Sequence, residues 1–97
     1  MAKSLSVMIA CSLERVGGGL EQALKASGWH LDAIDRVDGT LVAGKRGWFG
    51  YRKLEFTLKA DGPKTVLAIS PSGVKQAVVT RLLENLGALL QLPIDPV

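Results

Sequence analysis

Reactive side chains are sparse in this 97-residue chain, with one His, one Cys and nine Asp plus Glu. His30 precedes Asp32 by two residues, so in a strand both side chains point to one face and the carboxylate could orient the imidazole as a base. Neither Ser nor Cys stands in an obvious position beside them as a nucleophile, and a lone His needs several Asp, Glu or Cys partners before it can hold zinc. A solvated or capping His30 is the expectation. Cys11 would need a nearby base or a helix N-terminus to depress its pKa, whereas as a small buried hydrophobe it needs nothing, and the second role is expected. The reading therefore expects no catalytic residue, metal or cofactor, and leans away from an enzyme.

Val16-Gly17-Gly18-Gly19-Leu20 falls between an expected strand and an expected helix, where phosphate-cradling loops occur. No Gly-Lys-Ser/Thr follows, and the dinucleotide pattern breaks at Gln22, where its third glycine should stand. A flexible loop or a glycine kink that lets helix and sheet approach is expected instead.

One segment remains: Lys45-Arg46-Gly47-Trp48-Phe49-Gly50-Tyr51-Arg52-Lys53. It contains three of the five aromatic residues, together with four bases and no acid, while the rest of the chain holds eight bases and nine acids. The whole net charge of +3 is thus local to these nine residues. Folded back, Trp48 and Phe49 would plug the open end of a sheet. Projected outward, they would make a contact tip for an anionic partner. On nucleic acid, Lys45, Arg46, Arg52 and Lys53 take phosphates while Trp48 or Tyr51 stacks on unpaired bases, with a log-log salt slope of about −3 on single strands. On an anionic membrane surface each base contributes about 1 kcal/mol. An acidic patch on another protein is the third partner class.

Something must position these residues, and the composition allows it. With 47% hydrophobic and 22% charged side chains the chain is too apolar for disorder, and no apolar run approaches the roughly 18 residues of a membrane-spanning helix. One folded domain over residues 1–97 is expected. A single Cys cannot form an intramolecular disulfide, which makes the cytoplasm the simplest expected compartment. The start, Met1 to Cys11, loosely imitates a lipoprotein signal, but a buried first strand is the preferred reading.

Ser4 to Ala10 suits that strand. From Ser12 to Ser27 the apolar stripe Leu13, Val16, Leu20, Ala23 and Leu24 marks a helix, expected to break at the three glycines and to stop at Gly28. From Trp29 to Ser70 the period becomes two, with turns at Asp38-Gly39, Gly47 to Gly50 and Gly62-Pro63. Those turns predict a four-strand meander in which Ile34 faces Ala43, Arg46 faces Tyr51, Ala43 faces Leu54, Leu41 faces Phe56, Leu58 faces Leu67 and Phe56 faces Ile69. Ile34, Leu41, Ala43, Leu54, Phe56, Leu58, Leu67 and Ile69 then share the covered face, and Asp35, Lys53, Glu55, Thr57 and Lys59 the wet one. Pro71-Ser72 is expected to end the sheet, with Ser72 capping a helix from about Gly73 to Gln91 whose stripe is Val74, Val78, Leu82, Leu86, Leu89 and Leu90. Residues 94–97 read as a tail.

The order is strand, helix, four-strand antiparallel meander, long C-terminal helix: an α+β domain with one sheet face covered by helices. Over nearly the whole chain it resembles the TATA-box-binding-protein-like half-domain and a shortened helix-grip fold. The helix-grip resemblance implies a small carrier of an apolar ligand held between the sheet and the last helix. The residues themselves point first to a non-catalytic binding module working through residues 45 to 53. A homodimer pairing through Val42, Val66 and Ala68 on the polar sheet face is the other alternative.

Overall fold

The computed structural model describes residues 3–47 and 50–97. The elements are β1 (Leu5–Ile9), α1 (Leu13–Ala26), β2 (His30–Asp35), β3 (Thr40–Gly47), β4 (Gly50–Asp61), β5 (Lys64–Ser72), α2 (Gln76–Leu90) and β6 (Ile94–Pro96). This is the expected α+β arrangement. All strand pairs are antiparallel, and the six-stranded sheet has the order β2-β3-β4-β5-β1-β6.

The meander follows from alternation. Leu41, Ala43, Leu54, Phe56, Leu58, Leu67 and Ile69 are all buried, and Leu41 pairs with Phe56, Ala43 with Leu54, Arg46 with Tyr51, Phe56 with Ile69 and Leu58 with Leu67. Burying each large side chain contributes about 1.5–3 kcal/mol, and a one-residue slip would turn the whole set to water, so the register is strongly held.

The first hairpin differs from the expected one. Asp35 pairs with Thr40 and Ile34 with Leu41, which leaves Arg36 to Gly39 as a four-residue loop instead of a two-residue turn. The Asp35 carboxylate accepts hydrogen bonds from the Val37 and Asp38 amides at 3.0 and 3.1 Å, satisfying loop donors that a tight turn would have to place elsewhere. The displacement is two residues, so Ile34 keeps its face, but it lies 42% exposed at the sheet edge. The register also shifts between Leu31 and Ala33, with Asp32 as the extra residue.

Helix α1 is continuous through Gly17, Gly18 and Gly19, against the expected break. Ser12 caps it, Gly28 takes φ +80° just past its end, and packing supplies what the glycines cost. A Cβ built on Gly19 would stand 3.0 and 3.2 Å from Leu90 and Leu86 side-chain carbons, so the bare backbone lets α2 approach closely. The two helices are further tied by Arg15, whose guanidinium donates to the Leu90 carbonyl at 3.2 Å.

Two corrections concern the end of the chain. Strand β5 runs through Pro71 and Ser72, which pair with Leu54 and Lys53, so Ser72 does not cap the last helix. Pro71 lies beyond Ile69, the last residue flanked by β1, where its missing amide is tolerated. Helix α2 starts at Gln76, and Lys75 provides no side-chain cap. Its buried residues are Val79, Leu82, Leu86 and Leu90; Val78 is half-buried and Leu89 is 46% exposed, so the packed stripe is rotated from the expected one. The expected tail contains β6, which pairs with β1 through Val7 and Pro96, Met8 and Asp95, and Ile9 and Ile94. Among the described residues no helix is long and apolar enough to cross a membrane.

Candidate functional site

The β3–β4 hairpin carries the expected contact residues. Its central pairs, Lys45 with Arg52 and Arg46 with Tyr51, stand just short of the turn. Trp48 and Phe49, the proposed aromatic tip, lie outside the described residues. Alternation divides the bases between the two faces of the sheet. Lys45 and Arg52 follow the inward-facing Ala43 and Leu54 by two positions and precede them by two, respectively, whereas Arg46, Tyr51 and Lys53 belong to the face that the helices leave open.

Lys45 is half-buried. Its Nζ donates to the Ser27 carbonyl at 3.0 Å and lies 5.7 Å from the centre of the buried Trp29 ring. It therefore closes the C-terminal end of α1, where a cation meets the negative end of the helix dipole. Arg52 is exposed and runs beside Gly47, on which a Cβ would stand 3.2 Å from Arg52 Nε. Lys53 forms a surface ion pair with Glu55 at 3.1 Å, an interaction of about 0–1 kcal/mol. Among the described residues neither Arg46 nor Arg52 has an acidic partner within ion-pair distance.

Tyr51 is the centre of the open-face group. Its hydroxyl donates to Asp32 Oδ2 at 2.5 Å, so the side chain starts on β4, crosses β3 and reaches β2. Gly44 makes this crossing possible. A Cβ at Gly44 would overlap the Tyr51 hydroxyl and Cζ and the Asp32 carboxylate. The phenol is thus laid over a bare stretch of backbone, with Gly44 buried beneath it, while Tyr51 remains 53% exposed. The hydrogen bond to Asp32 raises the Tyr51 pKa above its ordinary value of 10.0; partial desolvation and the negative charge of Asp32 add to the rise, and Arg46 opposes it.

Asp32 and Gly44 were not among the expected site residues. The strand register places Gly44 two pairs away from Tyr51 and on the same face, so a ring lying across a glycine is readable from it. The contact with Asp32 is not, because it depends on the β2 bulge. His30 lies exposed at the start of β2 opposite Gly44, and the carboxylate expected beside it is engaged by Tyr51.

Compared with known proteins, the chain matches no protein-family model and no curated protein sequence.

The remaining motifs have structural places. The three glycines lie inside α1, so no phosphate-cradling loop forms there. Cys11 is buried, and its carbonyl accepts from the Thr65 hydroxyl at 2.9 Å, which satisfies the buried polar group in the core. No group of three or more His, Cys, Asp or Glu able to hold a metal occurs among the described residues. Val42, Val66 and Ala68 lie half-buried on the open sheet face. The helix side of the sheet is packed with Leu54, Phe56, Leu67, Val79, Leu82 and Leu86.

Proposed function

We propose that this chain is a non-catalytic binding module whose partner is anionic, and that the partner its open face suits best is an unpaired nucleic-acid strand. The observation that carries this reading is the Tyr51 side chain laid across Gly44 and tethered to Asp32, half exposed, with Arg46 directly opposite. A ring held in place beforehand loses little freedom when a base stacks on it, and such a contact contributes about 1–3 kcal/mol per base. Arg46 and Lys53 supply charges on the same face of the hairpin for flanking phosphates, while Lys45 and Arg52 start from the inner side of the sheet. An inserted membrane anchor is less well supported by a phenol that lies along the sheet.

Fluorescence anisotropy of a labelled single-stranded oligonucleotide tests this. Saturable binding is expected, with a log-log salt slope of about −1.4 for two phosphate contacts. Tyr51→Ala should weaken it about tenfold, equivalent to about 1.4 kcal/mol. Absence of binding, or equal binding by Tyr51→Ala, overturns the nucleic-acid reading. Binding to anionic vesicles or to an acidic peptide in its place would reassign the partner within the anionic class.

A further inference from the structure

A cleft of about 410 Å³ lies on the other side of the sheet, between the end of α1 and the first half of α2, lined by Ser27, Trp29, Lys45, Ala77, Val78, Arg81 and Leu82. Two of the seven lining residues are cations and none is an acid. Arg81 is exposed at the rim, and neither it nor Lys45 has an acidic partner within ion-pair distance among the described residues. Lys45 is held in place by the Ser27 carbonyl and the Trp29 ring, and the carbonyl engages only one of its three donors. Trp29, Ala77, Val78 and Leu82 give the lining its apolar part, and Ser27 completes it.

A volume near the lower end of the usual range for small-molecule sites, apolar walls and two unneutralised cations are together the features of a ligand cleft. We infer that this cleft binds a small amphiphilic anion, a carboxylate or phosphate group on an apolar body. Lys45 and Arg81 would hold the anionic group, and Val78, Leu82 and the edge of Trp29 would take the apolar part. Arg81 donates in a planar fork suited to either oxyanion, and Lys45 adds a positioned point charge. The site is separate from the Tyr51 face, because Lys45 follows the inward alternation and Arg46 the outward one.

The chain has two tryptophans, so Trp48→Phe leaves Trp29 as the sole reporter within the cleft lining. In that background, octyl phosphate and octanoate, each kept below its micelle concentration, are titrated against Trp29 fluorescence, with inorganic phosphate and octanol as comparators. A saturable change is expected with at least one amphiphile, with tenfold or greater weakening in Arg81→Gln and in Lys45→Gln and no change in Tyr51→Ala. Arg81 is exposed, so its substitution reports on binding even where Lys45→Gln weakens the fold; far-ultraviolet circular dichroism checks both variants. No response to either amphiphile, or unchanged affinity in Arg81→Gln, overturns the inference. Inorganic phosphate or octanol binding as tightly as the amphiphiles also overturns it, because the ligand would then need only one half of the proposed chemistry.

Discussion

Tyr51 is the only tyrosine, so its ionisation can be followed without interference. The neutral phenol donates to the Asp32 carboxylate, and its folded pKa is raised above 10.0. The stabilisation it brings is present below pH 10 and is lost as pH rises through the folded value. Ultraviolet titration should therefore show tyrosinate forming at higher pH in the folded chain than in urea, and the gap should shrink in Asp32→Asn. Unfolding measured across the same range should be more pH-dependent in the parent than in Tyr51→Phe. Gly44→Ala is a sharper case, because the added methyl must displace the phenol or the carboxylate. Its tyrosine pKa should return toward 10.0 and its oligonucleotide affinity should fall with that of Tyr51→Ala. A Gly44→Ala variant that keeps the raised pKa would show that the crossing of β3 is not needed.

At the scale of elements, three interior glycines cost about 1 kcal/mol each relative to Ala, which predicts a break at the glycine run. The helix forms because the three positions face different surroundings. Gly18 has open space where a Cβ would be, Gly17 has only Leu58 at 3.9 Å, and Gly19 meets Leu86 and Leu90. Gly18→Ala should therefore raise stability by about 1 kcal/mol, read from the urea midpoint. Gly19→Leu should lower it by about 1–3 kcal/mol through overpacking between the helices. A stabilised Gly19→Leu would remove close helix approach as the reason for that glycine. In α2, Val79→Ala should cost more than Leu89→Ala despite removing fewer atoms, because Val79 is fully buried and Leu89 is 46% exposed.

Across the whole molecule, β6 covers β1 on the side away from β5, and Ile94 packs beside the backbone of Gly87 in α2. Truncation after Pro93 would expose the β1 edge and empty this contact. Lower thermal stability and concentration-dependent association are expected, measured by calorimetry and light scattering. Unchanged stability with no association would mean that the three-residue strand protects nothing. The opposite edge, β2, is largely exposed but carries Asp32, Asp35 and a bulge, features that discourage pairing with another sheet.

Residue order alone carried the order of the first seven elements, the β3–β4 and β4–β5 registers and the covered sheet face, because alternation over long strands leaves only one way to bury Leu54, Phe56, Leu58, Leu67 and Ile69 together. It also isolated the basic-aromatic hairpin as the unusual segment. The longer first loop, the bulge at Asp32, the unbroken α1, the rotated α2 stripe and β6 were not legible, since each depends on a partner distant in the chain or on a local hydrogen bond competing with a turn rule. The candidate site shares that division. Arg46, Tyr51 and Lys53 were visible as a cluster, but Lys45 turning to Ser27 and Trp29, and Tyr51 crossing Gly44 to Asp32, arise only when strands and helices pack. Sequence spacing says which face a side chain starts from; the neighbours on that face decide where its polar end can be satisfied.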